Sequence, residues 1–265
     1  MRLAAPDSAG ALGKQVGATL ANEANLGKGR PDVLVLIPSY GDKDALPAIL
    51  AGVARLGPRY RPLVVDDGSP VPLEREALRG ALFVRLPANF GLGACIDIAF
   101  RHALAHDYGA VVRLDADGQH SVDDIPRLLV EIDAGRADVV AGTRTNQDQG
   151  ASSLLRQLLK RYLSAAAMLA TGGRAPRDVN TGFFALNRKA VAVIRSSALE
   201  RFPEPELFVS ACAGGLRVGS VDIEQSQRLQ GRSTISTVAG ARIFFRFTVF
   251  AIGQMIRRMF RWFTA

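Results

Sequence analysis

Five short apolar runs, most of them closing on a polar or acidic turn, constrain this chain more than any other feature. Val33-Leu34-Val35-Leu36-Ile37 is stopped by Pro38 and followed by Ser39 and Tyr40. Pro62-Leu63-Val64-Val65 runs into Asp66-Asp67-Gly68-Ser69, and Leu82-Phe83-Val84 precedes Asn89-Phe90-Gly91-Leu92-Gly93. Ala110 to Leu114 ends on Asp115-Ala116-Asp117-Gly118, and Ala137 to Ala141 completes the series. Runs this short, bounded by turn residues, are buried strands. Between them, Asp42 to Leu56 and Gly91 to His106 carry helical spacing. Ser121 caps a further helix through Ile132, with Asp124 placed for a capping box. Strand and helix alternate at the spacing of an α/β protein, which predicts a mostly parallel sheet with helices on both faces. Such sheets bind ligands beyond the carboxyl ends of their strands. Four strands deliver acid, hydroxyl or amide groups to that one edge.

After Gly142 the alternation loosens. Leu154 to Leu169 and Glu206 to Ala213 read as helices, and Thr181 to Leu186 and Leu216 to Ile223 as strands that extend the same sheet. At 265 residues the chain is long enough for one large α/β domain or two small ones. Residues 1–30 lack the sustained apolar core of a signal peptide and read as a poorly ordered leader. The catalytic domain is expected over 31–238 and a separate basic amphipathic helix over 239–265.

Several classes are excluded. No GxxxxGK[ST] run is present, and no GxGxxG follows the first strand, which argues against P-loop and dinucleotide enzymes. Cys95 and Cys212 lie far apart without metal-ligand spacing and read as buried reduced thiols. The net charge of +8 is concentrated at the C-terminus: no acidic residue follows Glu224, while Arg228, Arg232, Arg242, Arg246, Arg257, Arg258 and Arg261 do. These arginines are interleaved with Phe244, Phe245, Phe247, Ile252, Met255, Phe260 and Trp262. That mixture fits an anionic lipid surface better than nucleic acid. Arg242, Arg246, Arg257 and Arg261 share one sector of a helix, and the apolar stretch between them is far below the roughly 20 residues needed to span a bilayer. The expectation is an in-plane helix with snorkelling arginines, the alternative being packing on its own domain or on a partner.

The acidic strand ends carry the chemistry. Asp115 and Asp117, one residue apart on a tight turn, can hold a divalent ion that shares its remaining ligands with phosphates and water. Such an ion neutralises the charge that grows on a diphosphate leaving group. The glycines of Asn89-Phe90-Gly91-Leu92-Gly93 open a helix whose N-terminus could receive that diphosphate or could simply need small residues.

Taken in order, Pro38-Ser39-Tyr40, Val64 to Ser69, Asn89 to Gly93 and Asp115 to His120 resemble family 2 glycosyltransferases, in particular the dolichyl-phosphate mannose synthase-like branch. The resemblance runs from about Pro31 to Ser236. It implies a GT-A fold, a nucleotide-sugar half over 31–145, an acceptor half over 146–238, a UDP- or GDP-sugar donor, Mg²⁺ or Mn²⁺, and inversion at the anomeric carbon. By that resemblance Pro38, Ser39, Tyr40, Asn89, Gly91 and Gly93 line the donor site. Asp66 or Asp67 contacts the base or ribose, and Asp115 and Ala116 meet the ribose and phosphates. Asp115 and Asp117 hold the metal, with Gln119 and His120 beneath the diphosphate. Arg144 adds positive charge near the leaving group. Asp178 and Thr181 line the sugar and acceptor, Asp178 as a catalytic candidate beside Glu204, and Arg232 sits in a loop that closes over phosphate. Pro203-Glu204-Pro205-Glu206-Leu207 stands where the family carries its acidic motif, which makes Glu204 the first candidate for the base and Glu206 the second.

The implied acceptor is membrane-borne: a polyprenyl phosphate or a lipid-linked glycan. A phosphate acceptor would leave Glu204 only an orienting part. The expected location is the cytoplasmic face of the cell membrane, peripherally attached, with no nucleic-acid partner and a homo-oligomer possible. The alternatives are a soluble glycosyltransferase with a non-lipid acceptor and a non-catalytic sugar-nucleotide-binding subunit. Nucleotidyl transfer would need a glycine-rich loop with Arg and Lys after the first strand, which Pro38-Ser39-Tyr40-Gly41 does not supply.

Overall fold

The structure, a computed structural model, describes residues 32–41, 44–144, 154–195, 203–223 and 237–264. The leader 1–30 and the loop carrying Arg232 lie outside the described residues, as do the side chains of Arg144, Arg242 and Arg261.

Seven strands form one sheet: β1 (Val33–Ser39), β2 (Tyr60–Asp66), β3 (Leu82–Arg85), β4 (Ala110–Arg113), β5 (Val139–Arg144), β6 (Phe184–Asn187) and β7 (Val218–Ile223). Their order across the sheet is β3-β2-β1-β4-β6-β5-β7. β1 pairs in parallel with β2 and β4, β2 with β3, and β5 with β7; β6 runs antiparallel between β4 and β5. The sheet is therefore mostly parallel, as the spacing predicts, with one reversed strand that the apolar pattern does not announce.

Alternation along β1 shows how the two faces are filled. Val33, Val35 and Ile37 point to one side, where α1 (Leu46–Arg55) and α3 (Ile125–Asp133) close a core with Leu46, Leu50, Val53, Ile125 and Leu128. Leu34 and Leu36 point to the other, against α2 (Leu92–Ala105), α4 (Leu154–Thr171), α5 (Arg188–Arg195) and α6 (Glu204–Ala213), with Phe100, Phe184 and Phe208 fully buried. Strands buried on both faces read as continuous apolar runs. That is why they were legible as strands.

Local structure differs from expectation in three places. The Ser121 hydroxyl does cap, accepting from the Asp123 amide at 3.2 Å, but it opens a 3-10 turn over Val122–Asp124. The Asp124 carboxylate goes to Arg127 at 2.7 Å instead of closing a capping box, because the arginine one turn on is a stronger partner than a backbone amide. α5 follows β6 directly, with the Asn187 side chain accepting from the Ala190 amide at 2.8 Å as an N-terminal cap.

The third difference is the C-terminal helix. α7 (Thr237–Thr264) is present, but its first half is built into the core. Phe247 and Ala251 are buried, Tyr162 of α4 bonds Thr248 at 2.6 Å, and Arg246 pairs with Glu206 at 3.0 Å. Arg246 therefore points into the protein, because a carboxylate on α6 offers it a better partner than bulk water. The opposite side of α7 remains apolar and exposed through Phe245, Val249, Ile252, Ile256 and Met259. Among the described residues no helix is long and apolar enough to cross a membrane.

Candidate active site

The first wall of the site is a braced pair of loops. Beyond β1 and β2, the Asp67 amide donates to the Ser39 carbonyl at 2.9 Å, and the Gly41 amide to the Ser69 hydroxyl at 2.9 Å. Asp66 is fully buried, and its two oxygens accept from the Ser69 amide at 2.8 Å and from Arg85 at 3.1 Å. Asp67 turns its oxygens to the Phe90 and Gly91 amides at 2.7 and 2.8 Å. The two amides that lead into α2, those of Phe90 and the N-cap residue Gly91, are thus taken by a carboxylate of the chain itself. Gly68 has φ +71°, and a Cβ there would meet the Ala88 backbone at 2.5 Å, so the loops after β2 and β3 can approach only because this residue is glycine. Asp66, Asp67 and Gly91 shape this wall, with Gly93 buried in the first turn of α2 behind it; Tyr40 and Phe90 are exposed on it.

The second wall holds the charge. β4 carries Arg113, whose guanidinium is 3% exposed and forks between two carboxylates. One nitrogen donates to Asp115 Oδ1 at 2.7 Å and another to Glu204 Oε1 at 2.9 Å. The guanidinium also lies 5.5 Å from the centre of the Phe184 ring. Burial opposes its charge, but Asp115 and Glu204 together raise its pKa well above the ordinary arginine value. Asp115 remains 32% exposed and Glu204 15%. A Cβ at Gly182 would overlap the Asp115 carboxylate, so the 178–183 turn packs directly on this aspartate.

Ala116 is buried, and Asp117 accepts from the Gln119 amide at 3.1 Å, which tightens the turn. His120 is buried and stacks on Phe183 at 5.1 Å. The expected residues of the next segment divide. Asp178 accepts from the Asn180 amide at 3.0 Å, whereas Thr181 is fully buried and its hydroxyl is exchanged with the Phe183 backbone. Glu204 and Glu206 both fall in the first turn of α6 and separate in role: the former faces Arg113, the latter Arg246. Burial pushes the Cys95 thiol, on α2 behind this wall, up to about 12, with the charge of Asp67 adding to the effect, and burial pushes Cys212 to about 11. Both are inert at neutral pH.

Two residues were not singled out from sequence. Arg113 had a signal: a lone charge inside an otherwise apolar strand must be paired when buried. Gly182 had none, because its role depends on the approach of a residue far away in the chain.

Asp115 and Asp117 thus present two hard oxygen donors on one partly exposed turn. Among the described residues no third His, Cys, Asp or Glu joins them. That set fits a magnesium or manganese ion completed by phosphate oxygens and water, rather than a closed protein cage. A family model, "Glycosyl transferase family 2", matches residues 34–195, more than half of the chain. The chain belongs to that family. This glycosyltransferase is 37% identical over 118 residues to polyprenol monophosphomannose synthase of Mycolicibacterium smegmatis, covering 42% of this chain and 44% of the relative. It is 33% identical over 150 residues to undecaprenyl-phosphate 4-deoxy-4-formamido-L-arabinose transferase of Klebsiella pneumoniae, covering 51% and 45%. It thus spans less than half the length of these curated relatives. The fold matches glucosyl-3-phosphoglycerate synthase of Mycobacterium tuberculosis, solved with Mn²⁺, UDP and glucosyl-3-phosphoglycerate, at a TM-score of 0.66 and 19% identity over 90% of this chain and 84% of that one.

Proposed function

We propose that this glycosyltransferase moves a sugar from a UDP- or GDP-sugar to a membrane-borne acceptor, a polyprenyl phosphate or lipid-linked glycan, with inversion at the anomeric carbon. The observation that carries this reading is the placement of Glu204 and Asp115 on the two arms of one buried guanidinium. The carboxylate that can face an acceptor is held beside the pair that can face the donor's phosphates.

When bound, a divalent ion supplies neutralisation of the departing diphosphate. Asp115 and Asp117 would hold it. Glu204 accepts the proton of an acceptor hydroxyl as the new bond to the anomeric carbon forms, and the nucleoside diphosphate leaves from the opposite face with the bonding electron pair. An acceptor phosphate is already ionised near neutral pH, and Glu204 then orients it. Ser39 and Tyr40 line the donor side, and Asp66 and Asp67 act by bracing it. Gln119 and His120 underlie the turn, Asp178 borders the acceptor side, and Arg144 and Arg232 would add positive charge to the phosphates.

Two features support the lipid acceptor. The two sequence relatives carry polyprenol monophosphomannose and undecaprenyl phosphate in their names. The outward side of α7 also joins an apolar face to a tail without acidic residues, which fits peripheral attachment to an anionic membrane. The test incubates the protein with each sugar nucleotide, Mn²⁺ and undecaprenyl phosphate in vesicles. A lipid-linked sugar with the anomeric configuration opposite to the donor's is expected. Retention of configuration, or transfer only to water-soluble acceptors, would overturn the corresponding part. Replacing the exposed Phe245, Ile252 and Met259 by Ser should weaken vesicle binding without lowering the melting temperature. Unfolding by those changes would place the whole helix in the core.

A further inference from the structure

We infer that Arg113 is a positioning residue that couples occupancy of the Asp115–Asp117 turn to the state of Glu204, so that the acceptor-side carboxylate senses whether the donor's metal is in place. This rests on the donor reading given above.

One buried guanidinium serves two carboxylates, and the Arg113 pair is the ion pair Glu204 makes among the described residues. Asp115 follows β4 and Glu204 begins α6, 91 positions away from Arg113 in sequence. No local structure ties the two acids together; the arginine does. The guanidinium is planar, so its two arms fix the relative position of Asp115 Oδ1 and Glu204 Oε1 in a way that an ammonium point charge could not. Phe184 lies against it, 5.5 Å from ring centre to guanidinium carbon, so the charge is shared between these two carboxylates beside an apolar wall.

A cation arriving at Asp115 competes with Arg113 for that carboxylate. The competition is weaker when Glu204 takes part of the guanidinium's charge, and stronger when it does not. Neutralising Glu204 therefore leaves Arg113 more fully committed to Asp115 and weakens metal binding at a residue that Glu204 does not itself ligate. By reciprocity of linked equilibria, a bound cation shifts Arg113 toward Glu204 and steadies that carboxylate for the acceptor. A bridge that merely fastens α6 to the sheet predicts none of this, since Glu204→Gln keeps a hydrogen-bonding group for Arg113 at the same place.

The experiment is a double-mutant cycle read by calorimetry, without turnover. UDP and GDP, each with Mn²⁺, are titrated into the unaltered protein, Glu204→Gln, Arg113→Met and the double variant. Glu204→Gln should weaken Mn²⁺–nucleotide binding about three- to tenfold in the presence of Arg113 and by less than about twofold in its absence. Arg113→Lys, which keeps the charge but not the fork, should show an intermediate response and serves as the background if Arg113→Met does not fold. An equal effect of Glu204→Gln in every background means direct attraction through space and overturns the inference. So does an unchanged affinity in Glu204→Gln alone. If neither nucleotide binds the unaltered protein, the donor reading falls and takes this inference with it. Binding with an additive cycle removes this inference only.

Discussion

Each end of the sheet buries an arginine–carboxylate cluster, and the two are built on opposite balances of charge. At the amino end, Asp138 precedes β5 and is 1% exposed. One oxygen accepts from the Arg217 amide at 2.9 Å and its Nε at 3.2 Å; the other accepts from Arg217 Nη2 at 3.2 Å and Asn187 at 2.9 Å. Lys189 stands 3.7 Å away. One acid is surrounded by donors, and the Arg217 hydrogen bonds, working against burial, hold it well below the usual carboxylate range. At the carboxyl end the ratio reverses: one buried guanidinium answers Asp115 and Glu204, both partly open to solvent. The saturated cluster fastens β5, β6 and β7 together. The other leaves negative charge in surplus beside the partly exposed Asp115–Asp117 turn. A closed cluster indicates a structural role, and an unbalanced one at the strand ends indicates a site.

Substitutions can break this contrast. The largest effect is expected for Asp117→Asn, which should lower sugar transfer about 10³-fold or more, because neutralising the leaving group is worth several kcal/mol. Its melting temperature should match the unaltered protein, and a parallel loss of stability would mean the turn is structural. Glu204→Gln should cost roughly 10²–10⁴ in turnover with a hydroxyl acceptor. Greater damage from Glu206→Gln would reverse the assignment of the two glutamates, since Glu206 is read here as the anchor of α7.

At the other end the pattern should invert. Asp138→Asn should lower stability by about 2 kcal/mol, the scale of hydrogen bonds to a charged group, measured by urea unfolding. Turnover per folded molecule should hold. Because the native value of Asp138 is depressed, its contribution is fully present above the ordinary carboxylate pKa of 3.8 and is lost as pH falls below it. The stability of the Asn variant should fall less steeply on acidification. Equal slopes would contradict the closed-cluster account.

Much of this was legible in sequence, for reasons visible in particular residues. The buried strands announced themselves because apolar runs such as Val33–Ile37 stop at residues with strong turn chemistry. The Asp115–Asp117 pair stands out in sequence because it closes a buried apolar run, one residue apart on a turn bounded by Gly118. Direction was not: Phe184–Leu186 has the same apolar pattern whether the strand runs with its neighbours or against them. Nor was the division of labour among the acids. Asp66 and Asp67 look from sequence like ligands, and their partners Arg85, Phe90 and Gly91 lie 19 to 24 residues on. Arg246 looked like a lipid anchor until α6 placed Glu206 against it, 40 residues back in the chain. The Asn187 cap of α5 is not among the sequence expectations, although an Asn directly after a short apolar run is a helix-start signal.

The central claim is that the surplus negative charge at the carboxyl end binds a nucleotide sugar through a divalent ion. Calorimetric titration of UDP- and GDP-sugars, with Mn²⁺ and with a chelator, into the unaltered protein and Asp117→Asn tests it most directly. The account predicts that one nucleotide class binds with Mn²⁺, and that binding weakens sharply with chelator or in the variant. Equal binding by both proteins with and without metal, or no binding of either class, would contradict it.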